Sequence, residues 1–266
     1  METREGNILI PSRVSFSSSS TERGMSAGES VSAKKGAKPT AEEALALLKA
    51  GNERFAQGKC VYPHLDAARL KQAGTESQAD HAYATVLACS DSRVPVERVF
   101  DAGIMDVFVV RVAGNVCAAD EIGSIEYGLA HVTTPVVVLL GHTQCGAVTA
   151  VTRACEGERR LLERNIAPLA ASIEPAVRRV MAEHPDTHGD DLIGYGIEEN
   201  VWQGIENLFM QSPVSRESVR AGKVKVVGAV YDVGTGVVRW LPELKTFDIL
   251  RKVQANPGRA TNTMAQ

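Results

Sequence analysis

The sequence predicts an α/β fold with a mostly parallel central sheet flanked by helices. Two observations predict the sheet: Val-rich apolar runs recur along the chain, and segments with helical spacing of apolar residues separate them. Continuous apolar runs are typical of strands buried on both faces, as in parallel sheets covered by helices. A third observation concerns the end of the domain, where "YDVGTGVVRW" predicts a hairpin turn that leads to an edge strand.

The N-terminal part of the chain predicts an extension followed by a helical arm. Residues 1–39 are rich in Ser, Gly and charge, and we expect them to be disordered because they contain too little apolar surface to fold. Whether residues 1–24 are a targeting segment or a plain tail stays open. Thr40 and Glu43 have the spacing of a capping box and predict the start of a helix. A second helix or turn is expected in "HLDAARLKQAG".

Four apolar runs predict the buried strands, at 84–89, 106–112, 135–141 and 224–233. Helical patterns lie between them, in "EIGSIEYGLAHV" and from "AVTAVTRACEG" to about Glu183. We therefore expect one catalytic domain over residues 40–250 and a flexible C-terminal tail over residues 251–266.

Composition excludes several classes of protein. The net charge is −3 over 266 residues, so the chain has no basic field of the kind that binds nucleic acid. No apolar run approaches the roughly 20 residues of a membrane-spanning helix. Five cysteines are too few for a secreted disulfide scaffold. They predict free or metal-bound thiols in a reducing, cytoplasmic compartment.

Cysteine and histidine side chains follow two of the predicted strands. Cys89 ends the first strand, and His142 and Cys145 follow the third. Ligands of open α/β sheets bind at the carboxyl ends of strands, so we expect these residues to face one crevice. Two thiolates and an imidazole suit Zn²⁺, and three protein ligands leave the open fourth position of a catalytic site. Gly141 and Gly146 flank the second segment and permit a tight bend.

Asp91 has two possible roles beside this site. Cys89, Asp91 and Arg93 alternate, so in an extended chain they project to one side. Asp91 can bind zinc and close the site, or it can pair with Arg93 and accept a hydrogen bond from a zinc-bound hydroxide. Arg93 compensates the negative charge in the second arrangement. We predict a switch between the two states, open at higher pH, where hydroxide competes better for zinc.

The same residue types also have interpretations that are less specific than a metal site. A single buried cysteine is usually a small apolar side chain, which suits Cys60, Cys117 and Cys155. Asp91 and Arg93 alone would be an ordinary ion pair. The joint pattern at two strand ends favours zinc.

"CSDSRV" followed by "GHTQCGAV" resembles the β-class carbonic anhydrases. The segments "FVVRVAGN", "GSIEYGLAHV" and "GAVYDVGTGVVRWL" resemble segments of the same family in the same order, and "LLKAGNERFAQGK" resembles its N-terminal helix. The resemblance extends from about residue 40 to residue 245.

The resemblance implies one zinc ion per chain, held by Cys89, His142 and Cys145, with Asp91 and Arg93 as the catalytic dyad. It implies reversible hydration of CO₂ to bicarbonate and a proton by zinc-bound hydroxide. It also implies a homodimer or homotetramer, with an active site near the subunit interface.

The resemblance further implies an apolar substrate pocket that is formed partly by the neighbouring subunit. It places Phe108, Tyr127 and Gly146 in that pocket. From the residues alone, Phe108 and Tyr127 are equally core candidates, and core is the default for Tyr127 on its amphipathic helix.

One position departs from the family pattern. Where the family usually has a Gln, nine residues before the first zinc cysteine, this chain has Asp80, and Gln78 lies two residues earlier. An ionised Asp80 would repel bicarbonate, so the pocket's polarity and substrate range stay open. The alternatives are a CS₂ or COS hydrolase on the same scaffold, or a non-catalytic zinc-binding scaffold. The scaffold predicts a missing Asp or Arg, yet Asp91 and Arg93 are both present.

Overall fold

A computed structural model describes residues 38–158 and 163–261. The predicted disordered extension, residues 1–39, lies outside the described residues except for its last two. In the described part of the chain, five strands form one sheet in the order β2-β1-β3-β4-β5. The first four strands are parallel and the last is antiparallel to its neighbour. The strands are β1 Ala84–Cys89, β2 Val107–Val112, β3 Val136–His142, β4 Lys225–Tyr231 and β5 Val238–Trp240. The predicted fold class is confirmed.

Helices and short 3₁₀ turns connect and cover these strands. The α-helices of the described residues are α1 Ala41–Ala56, α2 Ala67–Ala73, α3 Val96–Val99, α4 Ala119–Ala130, α5 Gly146–Cys155, α6 Ala167–Glu183, α7 Gly189–Gln211, α8 Pro213–Arg220 and α9 Glu243–Ala255. The 3₁₀ turns are Gln78–Asp80, before β1, and Ala113–Asn115, after β2.

The N-terminal helix begins where the capping-box spacing predicts. Thr40 Oγ1 accepts a hydrogen bond from Glu43 N, and Thr40 N donates to Glu43 Oε2 at 2.8 Å. The helical stretch predicted to continue to Glu183 is instead divided into α5 and α6. Helix α5 ends at Cys155, and Gly157 follows with φ +103°, a left-handed conformation that cannot continue a helix.

Strands β1, β3 and β4 are buried on both faces, as their continuous apolar runs predict, whereas the edge strand β2, also predicted to be buried, is mostly half-buried. Alternate residues of one strand enter different cores: Leu139 packs with residues of α4 to α9, whereas Val138 packs with α1 and α3. The sheet is therefore the middle layer of three. None of the described helices has both the length and the apolar character needed to cross a membrane.

The predicted domain end at residue 250 falls inside helix α9, which buries Leu250 and Val253 and continues to Ala255. Ala260 N then donates to Met210 O at 2.9 Å, so the chain is tied to α7 beyond the helix. The predicted flexible tail therefore begins too early, because the apolar face of α9 extends past residue 250. Residues 262–266 lie outside the described part.

Strands β1 and β3 are neighbours, and Ala88 pairs with Leu140 near their carboxyl ends. Residues that follow these two strands therefore lie at the same edge of the sheet.

Candidate metal centre

The structure brings together the three residues predicted to bind zinc. One donor atom each of Cys89, His142 and Cys145 lies within 4.8 Å of the other two, and all three side chains are buried. Cys89 is the last residue of β1 and His142 the last residue of β3. A short turn, in which Gln144 has φ +57°, then places Cys145 at the N-terminus of α5.

His142 presents an unpaired nitrogen to this cluster. Its Nδ1 bonds to the Thr143 carbonyl at 2.9 Å, which makes Nδ1 the protonated nitrogen of the neutral ring. Nε2 is buried and has no hydrogen-bond partner among the described residues. A buried acceptor without a partner is unusual, and a metal ion satisfies it. One imidazole nitrogen and two sulfurs form a donor set that fits zinc.

The two thiols lie close enough to shift each other's pKa. The neighbouring Cys145 thiol, followed by the His142 ring, lowers the pKa of Cys89, and the Gly114 N–H, 3.2 Å from the Cys89 sulfur, adds to this effect. The neighbouring Cys89 sulfur, together with burial, raises the pKa of Cys145. The backbone N–H groups of Val148 and Ala147, at the start of α5, act in the opposite direction on Cys145. Zinc binding requires both sulfurs as thiolates and would therefore release protons.

Asp91 is held by Arg93 and not by the metal-site cluster. Its Oδ1 accepts from Arg93 N and Nε at 2.9 and 3.0 Å, and its Oδ2 accepts from Nη2 at 2.7 Å. These bonds from the Arg93 side chain hold the pKa of Asp91 well below its usual range. The prediction of an extended backbone here is wrong. Strand β1 ends at Cys89, and the chain then turns, so that the Asp91 carboxylate accepts a hydrogen bond from the backbone N–H of Arg93.

Two further side chains, neither of them predicted from the sequence, hold this pair in place. Gln144 accepts from Arg93 through its Oε1 and its backbone carbonyl, both at 3.0 Å. Arg111 donates to the carbonyl of Cys89 at 2.9 and 3.0 Å and to that of Asp91 at 2.8 Å. A charged residue inside the apolar run "VFVVRV" was the available signal for Arg111.

Phe108 and Tyr127 are not brought to the thiols of this chain. Phe108 pairs with Thr85, four residues before Cys89, which separates them by about 13 Å along the strand. The two aromatic rings stack with centroids 6.0 Å apart. Tyr127 is 50% exposed, so the interpretation of Tyr127 as core is wrong. Helix α4 buries Ile122 and Ile125 instead, on another side.

The remaining predicted pocket residues lie at opposite edges of the sheet. Gly146 begins α5 directly after Cys145, is exposed, and has open space where a side chain would stand. Gln78 and Asp80 lie in the exposed 3₁₀ turn before β1, at the edge opposite Cys89. Asp80 lies near Lys38, whose pKa burial lowers and the Asp80 carboxylate raises in part.

The sequence model of the family described as carbonic anhydrase matches residues 84–238. The chain is 34% identical to the carbonic anhydrase of Mycolicibacterium smegmatis over 198 residues, which is 72% of this chain and 88% of that protein. The β-carbonic anhydrase CafA of Aspergillus fumigatus is 28% identical, with a TM-score of 0.60 over 80% of this chain and 98% of that one. Tetrameric β-carbonic anhydrases of Sordaria macrospora give 25% identity and a TM-score of 0.56, over 75% of this chain and 95% of the matched chain. The chain belongs to the β-class carbonic anhydrase family.

Proposed function

We propose that the chain catalyses the reversible hydration of CO₂ to bicarbonate and a proton, with one zinc ion held by Cys89, His142 and Cys145. The observation that carries this proposal is the buried Nε2 of His142, which has no hydrogen-bond partner among the described residues and lies beside two buried thiols. When bound, zinc supplies a Lewis acid that lowers the pKa of a water ligand from about 15.7 toward 7. Three protein ligands leave the fourth position for that water.

Asp91 acts in this proposal as a fixed hydrogen-bond acceptor. A carboxylate oxygen has two lone-pair sites, and Oδ1 uses both on Arg93. Oδ2 uses one on Arg93 Nη2, and no other donor to it is found among the described residues. One site on Oδ2 therefore stays available to the proton of the reacting water. Because Arg93 holds the pKa of Asp91 low, Asp91 remains an acceptor at neutral pH.

The closed state, with Asp91 as a zinc ligand, remains part of the proposal. To reach zinc, the Asp91 carboxylate would have to give up hydrogen bonds to Arg93. Deprotonation of the competing water at higher pH would favour the open arrangement, in which Asp91 stays on Arg93. Activity that rises with pH is the expected consequence.

A homodimer or homotetramer is proposed from the positions of the aromatic residues. Strand β2 is an edge strand, and its apolar residues Val107 and Phe108 are only half-buried. With the exposed Tyr127, they form an apolar surface far from the metal site of their own chain. We propose that this surface meets a second copy and contributes Phe108 and Tyr127 to the partner's pocket, with Gly146 on the side of the metal ligands. The Sordaria relatives are tetrameric.

Asp80, like Phe108 and Tyr127, lies far from the metal site of its own chain. It lies at the edge of the sheet opposite Cys89, so we propose that it affects the substrate pocket only through the neighbouring subunit.

The catalytic domain begins near Thr40 and includes helix α9. A cytoplasmic location is proposed because none of the five cysteines, all of which lie among the described residues, forms a disulfide, which suits a reducing compartment.

The test is stopped-flow CO₂ hydration by the purified chain from pH 6.5 to 9, together with its zinc content. We expect about one zinc per chain and activity that increases with pH. Activity that is flat over this range would remove the Asp91 switch and keep the anhydrase. No CO₂ hydration at full zinc content would contradict the proposed activity and direct the assay to CS₂ and COS.

A further inference from the structure

We propose that Asn200 is a positioning residue of the zinc site: it holds the turn at Gly114 so that the Gly114 N–H faces the sulfur of Cys89. This inference rests on the proposed role of Cys89 as a zinc ligand. Asn200 is distant in sequence, in the middle of helix α7, and would act on zinc only through the backbone of Gly114.

Two consecutive hydrogen bonds link Asn200 to the metal ligand. Asn200 Nδ2 donates to the Gly114 carbonyl at 2.8 Å, and Gly114 N donates to Cys89 Sγ at 3.2 Å. Both bonds are buried, and Asn200 is 3% exposed. Together they restrain the peptide groups on both sides of the Gly114 Cα atom.

The turn needs this restraint because Gly114 adopts a conformation that few residues share. Its φ is +73°, and a Cβ atom there would stand 2.7 Å from Ile173 Cδ1 and 3.0 Å from Ala147 Cβ. Glycine therefore fits the space and the left-handed backbone, but glycine is also the residue with the greatest backbone freedom. The hydrogen bond from Asn200 selects one of its conformations.

Asn200 is itself held firmly by the packing of α7 against the sheet. The next residue, Val201, lies so close to Gly141 and Gly228 that a Cβ atom on either would stand 2.8 and 2.9 Å, respectively, from a Val201 methyl group. Gly141 directly precedes the ligand His142 on β3. The same part of α7 thus contacts the strand that carries one ligand and anchors the turn that faces another.

An N–H group that faces a ligand sulfur stabilises the thiolate and orients its lone pairs. Loss of such an outer contact typically weakens metal binding by about 10- to 100-fold. We expect a loss in this range when the Asn200 carboxamide is removed, although Asn200 never touches the metal.

The experiment compares Asn200→Ala and Asn200→Leu with Asn207→Ala in the full chain. Asn207 is a matched control because it lies two turns further along α7 and donates to the carbonyl of Cys117, at 3.4 Å, away from the site. Leu at position 200 keeps the side-chain volume without a donor, in case the smaller Ala fails to fold. For each protein we would measure zinc affinity by chelator competition, the thiolate charge-transfer band of the Co²⁺ form, and melting of the metal-free chain.

We expect zinc affinity to fall at least tenfold in the Asn200 variants, and the Co²⁺ band to shift to longer wavelength because the thiolate charge is less stabilised. Asn207→Ala should retain the wild-type affinity and band. An Asn200 variant with wild-type affinity and an unmoved band would overturn the inference. So would equal losses in Asn207→Ala, since they would report only the stability of α7. A wild-type chain that binds no zinc through its thiols would instead overturn the proposed function.

Discussion

Two clusters of ionisable side chains lie at opposite edges of the sheet, and they differ in how completely their polar atoms are paired. At the carboxyl edge, where the parallel strands end, His142 Nε2 is buried without a partner among the described residues. At the amino edge, where these strands begin, Asp106 directly precedes β2 and is almost fully buried, and both its oxygens accept hydrogen bonds. They accept from Arg69, His64 and the backbone N–H of Gly103 at 2.7 to 2.9 Å.

The cluster around Asp106 continues toward the surface, and each further side chain in it also has a hydrogen-bond partner. Arg69 Nη1 bonds to His81 Nδ1 at 2.9 Å, and His81 Nε2 bonds to Glu76 at 2.6 Å. Residue types alone would make this cluster, with its two histidines, as plausible a reactive site as the one with two cysteines. Because buried polar groups are normally paired, the unpaired atom is the informative one. The difference identifies the carboxyl-edge cluster as a ligand site and the Asp106 cluster as a structural brace.

Removal of a metal-ligand sulfur should give the largest effect, and it tests whether the cluster at the carboxyl edge binds a metal. We expect Cys145→Ser to abolish zinc binding and CO₂ hydration, because a hydroxyl does not replace a thiolate in this donor set. Zinc content and stopped-flow rates measure the outcome. Cys155→Ser is the matched control, since Cys155 ends the same helix and should be dispensable for both. Full activity in Cys145→Ser would contradict the ligand assignment.

Asp106→Ala tests whether the Asp106 cluster is a structural brace. It leaves Arg69 buried without its carboxylate, so we expect the free energy of unfolding to fall by about 3–5 kcal/mol. Zinc affinity should stay unchanged because the site is at the other edge. Urea unfolding measures the loss, with Asp248→Ala, which breaks an exposed pair with Arg251, as a control that costs less than about 1 kcal/mol. A brace role would be untenable if Asp106→Ala were as stable as this control.

Asp91→Ala separates chemistry from metal binding within the carboxyl edge. We expect zinc to remain bound and turnover to fall by about a hundredfold, because the variant loses the acceptor that receives or orients the reacting proton. Stopped-flow kcat and zinc content on the same preparation check this. Unchanged kcat would remove Asp91 from the mechanism, and loss of zinc would make it a ligand instead.

Much of this edge was predictable from the sequence, because it depends on where strands end. The strand ends at Cys89 and at His142 are marked by the change from apolar to polar residues, and parallel strands place such ends together. The capping box at Thr40 was predictable for a similar reason, since its contacts are local.

The sequence did not reveal hydrogen bonds from side chains to the backbone of distant segments. Nothing in the periodicity pairs Asn200 with Gly114, which is 86 positions away, or Arg111 with the Cys89 carbonyl. Tyr127 was misjudged because helical periodicity identifies a face without stating whether another copy or the chain's own core covers it. The turn at Asp91 was missed because alternation describes only an extended chain.

The smallest expected effect concerns a carboxylate at the functional edge whose hydrogen bonds all lie within its own turn. Asp232 follows β4, and the backbone N–H of Thr235, followed in importance by its hydroxyl and by the N–H of Gly234, holds the pKa of Asp232 below its usual value. If Asp232 serves only to hold this turn, Asp232→Asn should leave zinc content and CO₂ hydration unchanged. It should lower the free energy of unfolding by less than about 1 kcal/mol at pH 7.

The pH dependence of this loss has a definite sign. A lowered pKa in the folded state means that the carboxylate contributes its full stability above the unfolded pKa of about 4, and loses it as pH falls through the folded pKa. The difference in unfolding free energy between Asp232→Asn and the parent chain should therefore shrink between pH 7 and pH 3.5. Urea unfolding at the two pH values measures it. A difference that grows on acidification would contradict the electrostatic origin. A loss of CO₂ hydration in this variant would mean that a carboxylate bound within its own turn can still have a functional role at this edge.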